Sequence, residues 1–275
     1  MRGGLTKVSG AALAGALTAV LRGRLELSRP EIRRVEVELP GLGAAFDGYR
    51  VAQFSDVHLD GAMTLKRLRR VVEMVNAEEP DLVAFTGDFV SSRLPKNGKG
   101  MAEAFRELSA ADGVAVVLGN HDHLVDAEGV RRIARSAGAR ELRNDVLTLR
   151  RGPDSLHLAG IDDLLEGKAR MDLVLERLPA NGAAVLLSHC PDFADVSGPT
   201  GRFGLQLSGH SHGGQIRLPL IGAVVKPPYS KRYPMGSYEV GAMRLYTNRG
   251  LGTVKVPLRL NCRPEITVFT LRSPR

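Results

Sequence analysis

Five short apolar runs in this chain each lead into a side chain that can bind a metal ion. Tyr49–Phe54 leads into Ser55-Asp56-Val57-His58, Leu82–Phe85 into Thr86-Gly87-Asp88, and Val114–Leu118 into Gly119-Asn120-His121-Asp122. Ala183–Leu187 leads into Ser188-His189, and Leu205–Leu207 into Ser208-Gly209-His210-Ser211-His212. Short apolar runs bounded by turn residues read as buried strands. Helical stretches lie between them at Thr64–Glu78, Met101–Ser109, Asp126–Ala137 and Arg170–Arg177. The first carries an apolar stripe of Leu65, Leu68, Val71, Val72 and Val75, at the spacing of one helix face. A further alternating run, Ile32–Leu39, reads as a lead-in strand closed by Pro40-Gly41. Strands alternating with helices predict an α/β layered domain. In such domains the carboxyl ends of the strands share an edge where ligand sites form, so residues far apart in sequence can converge.

The residue types at those ends suit one kind of chemistry. Imidazoles and carboxylates without thiolates favour manganese, iron, nickel or zinc. Asp88 can bridge two cations through its two oxygens, and Asn120 adds an oxygen ligand without a charge that would repel phosphate. Two ions about 3.5–4 Å apart activate a water and clamp both oxygens of a displacement at phosphorus. Of seven histidines, His58, His121, His189, His210 and His212 follow predicted strands directly, and His123 adjoins them. His157, within Leu156-His157-Leu158, reads as a structural strand residue. Asp-x-His or Gly-Asp alone is more often a turn than a ligand pair. Gly209-His210-Ser211-His212-Gly213-Gly214-Gln215 is more specific, because two histidines in a glycine-rich turn have little packing value.

Composition narrows the rest. A length of 275 residues allows a substantial core, and the absence of tryptophan with only 5% aromatics argues against a stacking platform for single-stranded nucleic acid. The net charge of +8 is concentrated. From Ile216 to Arg275 eleven Lys/Arg face two acids, an excess of nine, so the remainder sums to about −1. That segment suits a phosphate-bearing substrate or an anionic surface, or is simply a solvated basic face. Cys190 and Cys262 form no metal or disulfide framework and read as buried free thiols in a reducing compartment. Residues 1–29 differ from the 30–275 domain. Arg2 and Lys7 precede an apolar run, Val8–Leu21, followed by Arg22 and Arg24. That run falls short of the ~20 residues needed to span a bilayer, leaving a signal-like segment, an interfacial anchor or a plain exposed helix.

Taken in order, Asp56-x-His58, Gly87-Asp88, Gly119-Asn120-His121-Asp122, Ser188-His189 and Gly209-His210-x-His212 resemble the motifs of the calcineurin-like metallophosphoesterases over residues 50 to 215. The flanks resemble a bacterial, often membrane-associated subgroup: Phe46-Asp47-Gly48-Tyr49-Arg50-Val51, Gly213-Gly214-Gln215, Asn248-Arg249-Gly250-Leu251-Gly252 and Arg263-Pro264-Glu265-Ile266. The resemblance implies a four-layer α/β/β/α sandwich of two mixed sheets meeting at two divalent metal ions. Asp56, His58 and His212 would hold one ion, Asn120, His189 and His210 the other, and Asp88 would bridge. His121 would stabilise developing charge or protonate the leaving oxygen, with Asp122 orienting it. Many relatives carry a second aspartate shortly after Gly-Asp, but Gly87-Asp88-Phe89-Val90-Ser91-Ser92 does not, so the partner of His121 is left open.

The expected activity is hydrolysis of a phosphodiester or pyrophosphate bond. Lipid-linked substrates such as a phospholipid or UDP-diacylglucosamine fit the subgroup. Lys226, Arg232 and Arg249 are the candidate substrate-binding cations, with Lys231 and Arg263 nearby in sequence. The expected setting is peripheral on the cytoplasmic face of a membrane, or else the cytoplasm. Rival readings are a nuclease using the same metals, a protein phosphatase, or a scaffold that kept the fold without catalysis. No nucleic-acid module accompanies the basic segment, and no ligand position is missing.

Overall fold

The computed structural model describes residues 3–59, 62–95 and 98–274, with side chains from residue 14 onward except residue 16. Half of the Val8–Leu21 run, residues 8–13 and 16, therefore lies outside the described side chains. A long helix, α1 (Gly3–Leu27), precedes the sheets. Among the described residues no helix is long and apolar enough to cross a membrane.

Fourteen strands follow among the described residues. They are β1 (Glu31–Glu38), β2 (Arg50–Phe54), β3 (Leu82–Phe85), β4 (Val114–Val116), β5 (Arg140–Glu141), β6 (Asp145–Arg151) and β7 (Asp154–Gly160). The second half supplies β8 (Ala183–Leu187), β9 (Leu205–Ser208), β10 (Arg217–Leu218), β11 (Gly222–Ala223), β12 (Gly236–Val240), β13 (Met243–Thr247) and β14 (Glu265–Arg272). One six-stranded sheet runs β1-β14-β2-β3-β4-β5 and the other β12-β13-β9-β8-β7-β6, while β10 and β11 form a separate hairpin. Both large sheets are mixed: β2 to β5 are parallel with β14 antiparallel to β2, and β7, β8, β9 and β13 are parallel with antiparallel strands at both edges.

Alternate residues of each buried strand feed different cores, as a period of two requires. Val51, Leu82, Ala84, Ala183, Val185, Leu187, Leu205 and Leu207 pack between the two sheets. Ala52, Phe54, Val83 and Phe85 face the other way, against α2 (Leu65–Asn76), α3 (Gly98–Arg106) and α4 (Asn120–Ser136). Ala184 and Leu186 pack on the far side of the second sheet, near α5 (Met171–Arg177) and the one-turn α6 (Ala194–Ser197). Coverage on both faces is why the strand sequences read as continuous apolar runs. The result is the four-layer sandwich.

Local signals set the helix bounds. Thr64 caps α2 by accepting from the Arg67 amide at 3.3 Å, and Leu68, Val71, Val72 and Val75 are buried. α4 starts six residues before the expected Asp126, because Asp122 accepts the Gly119 amide at 3.1 Å and nucleates an extra turn. Asp126 then interrupts the helix with extended backbone, φ −173°. His157 is buried in β7, between Thr148 Oγ1 at 2.9 Å and the Asn181 carbonyl at 2.7 Å. The basic carboxy-terminal segment is not simply a solvated face. Its last strand, β14, lies between β1 and β2, and Arg249, Arg263 and Arg272 pair with Glu31, Glu36, Asp47 or Glu265.

Candidate metal centre

The five strand ends do meet. Asp56, His58 and His212 bring one ligand atom each to within 4.8 Å of one another, and so do Asp88, His189 and His210. The two groups touch through Asp88. Its Oδ2 lies 3.5 Å from His58 Nε2 and 3.4 Å from His189 Nε2. Within the first group His212 Nε2 is 3.1 Å from His58 Nε2 and 3.3 Å from Asp56 Oδ1. Within the second, His210 Nδ1 is 3.2 Å from His189 Nε2.

The backbone is strained to make this convergence. Asp56, His58, Asp88, His210 and His212 all have positive φ, between 48° and 65°. A left-handed non-glycine residue costs of order 1–3 kcal/mol and persists only where its surroundings enforce it. Glycines give the room: a Cβ on Gly119 would sit 2.2 Å from Asp88 Oδ1, and one on Gly209 would sit 2.5 Å from Asp56 Oδ2. These glycines are dictated by close approach to the ligands, and not only by turn geometry.

Hydrogen bonds behind the rings choose the nitrogen that faces inward. Backbone carbonyls of Val90 and Thr86 lie 3.1 Å from His58 Nδ1 and 2.7 Å from His189 Nδ1. Pro228 O lies 2.8 Å from His210 Nε2. A carbonyl accepts only, so each of those nitrogens carries the proton and the opposite one presents a lone pair to the cluster.

Residues 49–214 match the family described as Calcineurin-like phosphoesterase. The chain belongs to that family. It is 38% identical over 271 residues to the metallophosphoesterase YkuE of Bacillus subtilis, covering 96% of this chain and 94% of that protein. It is 30% identical over 226 residues to the phosphodiesterase YaeI of Escherichia coli, with 81% and 82% coverage. Among solved structures, the sulfate thiohydrolase SoxB of Thermus thermophilus shares the fold at a TM-score of 0.52 and 15% identity, over 82% of this chain and 57% of that one. This calcineurin-like phosphoesterase is a metal-dependent phosphoric ester hydrolase, and its cofactor is divalent metal.

The residues present fit that cofactor. Asn120 Oδ1 is buried with no hydrogen-bond partner among the described residues, a deficit worth ~1–3 kcal/mol that a cation would remove. Charge tells the same story. Burial would raise Asp88, but His189, His58 and His121 hold it far below the usual carboxylate range. Burial and the Asp88 charge push Asp56 up to about 6. Burial lowers His58 to about 4 and, helped by the His189 charge, His210 to about 4, so both rings stay neutral donors. At His189 burial is outweighed by Asp88, Asp56 and Asp163, which raise it to about 10. The pull on a proton at His189 Nε2 is the pull the same carboxylates exert on a metal ion.

The other expected residues separate. His121 borders the cluster, its amide donating to Asp88 Oδ1 at 3.0 Å and its Nδ1 lying 2.6 Å from the Ser91 carbonyl. That backbone oxygen stands opposite Nδ1, which answers the question left by the aspartate missing after Gly87-Asp88. Asp122 does not orient His121 as expected. Its carboxylate instead accepts the amides of Asp88 at 2.9 Å, Phe89 at 2.9 Å, Val90 at 3.2 Å and Gly119 at 3.1 Å, and so shapes the Asp88 turn. Arg249 is also not where a substrate contact would need it. It is 9% exposed and paired with Glu31 and Glu265. Arg232 is exposed and pairs with Asp195 at 3.0 Å. Of the three cations only Lys226 lines the pocket beside the cluster.

Two features escaped the sequence reading. The loop after β13 supports the Asp56 turn, with the Leu251 amide donating to Ser55 O at 3.0 Å and the Gly252 amide to Asp56 O at 2.7 Å. Arg259 is fully buried with no ion-pair partner among the described residues. Its guanidinium donates to Gly252 O at 2.7 Å and lies 3.3 Å from His212 Nδ1. The subgroup-like tail around Gly250-Leu251-Gly252 was the available signal for the first; nothing local marks the second.

Proposed function

We propose that the centre is dinuclear, with Asp88 bridging, and that it hydrolyses a phosphodiester or pyrophosphate bond of a lipid-linked substrate. Asp56, His58 and His212 would hold one ion, and Asn120, His189 and His210 the other. When bound, the ions supply Lewis-acid polarisation of the phosphoryl group and an activated water as nucleophile. His121, fixed at Nδ1 by Ser91 O, presents its other nitrogen to the leaving oxygen. Asp122 keeps the Asp88 turn in register, and Lys226 offers the phosphate a counter-charge.

The observation that carries the substrate class is the pocket next to the cluster. It encloses about 500 Å³ and is bordered by Asp88, Asn120, His121, His210 and His212 on one side. Leu165, Ile216, Val224, Val225, Val254 and Val256 make the rest largely apolar, with Lys226 and Lys255 among them. An apolar wall beside a phosphate-seeking floor suits a molecule with a phosphoryl centre and an aliphatic part. It suits a nucleic-acid backbone poorly, since that calls for a track of cations and stacking aromatics.

The test is hydrolysis with added manganese of a chromogenic phosphodiester, its monoester, and a lipid-linked diester beside its soluble headgroup analogue. Wild type should prefer diester to monoester and favour the acylated substrate in kcat/KM by about tenfold or more, since each buried CH₂ adds ~0.8 kcal/mol. Asp88→Asn should be inactive on all. Equal rates on acylated and soluble diesters would remove the lipid reading and leave the phosphoesterase.

A further inference from the structure

The β10–β11 hairpin is built in a way that a water-facing loop does not need. Leu220 at its apex is fully exposed at 108%, and Ile221 is 73% exposed. The turn is a γ-turn: the Ile221 amide donates to Pro219 O at 2.8 Å across Leu220, whose φ is +66°. That conformation is rare and strained for a bulky residue. Strain is being held in order to present an isobutyl group to solvent at the tip of a projecting two-residue ladder, Arg217↔Ala223 and Leu218↔Gly222.

The apolar tip is continuous with the pocket. Exposed Val224 and Val225 follow it in sequence and line the pocket with Val256. Along the sequence that carries the hairpin the charge has one sign. No Asp or Glu occurs between Asp195 and Glu239, whereas Arg202, Arg217, Lys226, Lys231 and Arg232 do. Lys226, Lys231 and Lys255 are exposed, and among the described residues they form no ion pair with a carboxylate. Asn261 ties the hairpin base to α1, donating to Arg217 O at 2.8 Å and accepting from Arg22 Nη2 at 2.8 Å. α1 itself exposes Leu17, Val20, Leu21 and Leu25.

We infer that the 217–225 hairpin is an interfacial wedge that seats the pocket mouth on an anionic lipid bilayer, with Leu220 and Ile221 entering the headgroup–acyl boundary. A pointed apolar tip beside a pocket mouth that carries Lys226 and Lys255 fits a fluid anionic surface, which yields to a projection and supplies the counter-charge. The valines leading from tip to metal centre then form the path by which an acyl chain reaches the site without crossing water. This deepens the lipid-linked reading above and rests on it.

The absence of tryptophan from the chain makes the test direct. Leu220→Trp in the full-length, metal-loaded protein carries a single indole at the tip. Vesicles of phosphatidylcholine with about a quarter phosphatidylglycerol should shift its emission to the blue, and vesicles of phosphatidylcholine alone should bind about tenfold or more weakly. Leu220→Asp with Ile221→Asp should lower co-sedimentation with the anionic vesicles by about tenfold or more, while hydrolysis of a soluble chromogenic diester is unchanged. An unshifted indole overturns the proposal. So does a double variant that binds vesicles as wild type does, which would move the contact to α1. A blue shift that grows with protein concentration without vesicles would assign the tip to a second copy and also overturn it. An unshifted indole in an enzyme that still prefers acylated diesters sinks the wedge alone; a shifted indole without that preference sinks the substrate reading alone.

Discussion

The Asp122 carboxylate accepts the Asp88 amide at 2.9 Å, and one residue before it in sequence the His121 amide donates to the Asp88 carboxylate at 3.0 Å. The first turn of α4 and the Asp88 turn therefore hold each other from both sides. Asp88 keeps its left-handed backbone, φ 60°, because Asp122 also gathers the Phe89 and Val90 amides. Removing that carboxylate leaves buried amides unpaired, at ~1–3 kcal/mol each. Asp122→Ala should lower unfolding free energy by about 3 kcal/mol or more and release metal at chelator concentrations that wild type withstands. Denaturant titration and metal analysis of the same sample check both; wild-type metal retention would refute the positioning role.

His121 should separate chemistry from metal binding. It borders the cluster, but its ring is held by the Ser91 carbonyl and belongs to neither ligand group. His121→Ala should retain its metal by elemental analysis while kcat falls ~10²–10⁴-fold, the usual size of a lost acid–base contribution. Unchanged kcat would remove its assigned part.

Arg259 acts on the centre from behind. Its guanidinium donates to Gly252 O, fixing the loop that supports Asp56, and sits against His212 Nδ1. Through Gly252 it holds the loop behind the Asp56 turn, and loss of such support for a ligating carboxylate typically costs 10–100-fold in metal affinity. Arg259→Met should weaken metal binding by about that factor in chelator competition, and Arg259→Lys should recover part of it. Equal affinities in all three would assign Arg259 to packing alone.

Asp162 gives a pH test away from the metal ligands. It accepts from His123 at 2.7 Å and Arg143 at 3.0 Å. Burial alone would raise its carboxyl, but the His123 hydrogen bond and charge, the Asp163 amide and Arg143 hold it below the ordinary value. A depressed folded-state pKa contributes stability above the unfolded value of ~4, and that stability is lost as pH falls through the folded value. Asp162→Asn should therefore cost about 2 kcal/mol at pH 7, with the gap to wild type closing below pH ~4. A gap that persists at low pH would mean that the carboxylate's charge plays no part.

What the sequence determined by itself was whatever rests on local period and on residue type. Alternation and apolar runs located β2, β3, β8 and β9, the 3.6-residue stripe located α2, and Asp56, His58, Asp88, Asn120, His189, His210 and His212 stood at the strand ends because that edge of a layered sheet is where ligands are carried. Only the tertiary structure decided which charges are free and which are used internally. Arg249 read as a substrate cation until the parallel pairing of β1 with β14 set Glu31 beside Glu265 and enclosed the guanidinium between them. Asp122 stands next to His121 in sequence yet serves Asp88, because consecutive residues of a helix point about 100° apart. Arg259 and Val256 carry no local signature either. Their roles come from contacts across long sequence separations, and those are set by how the sheets stack rather than by the residues on either side.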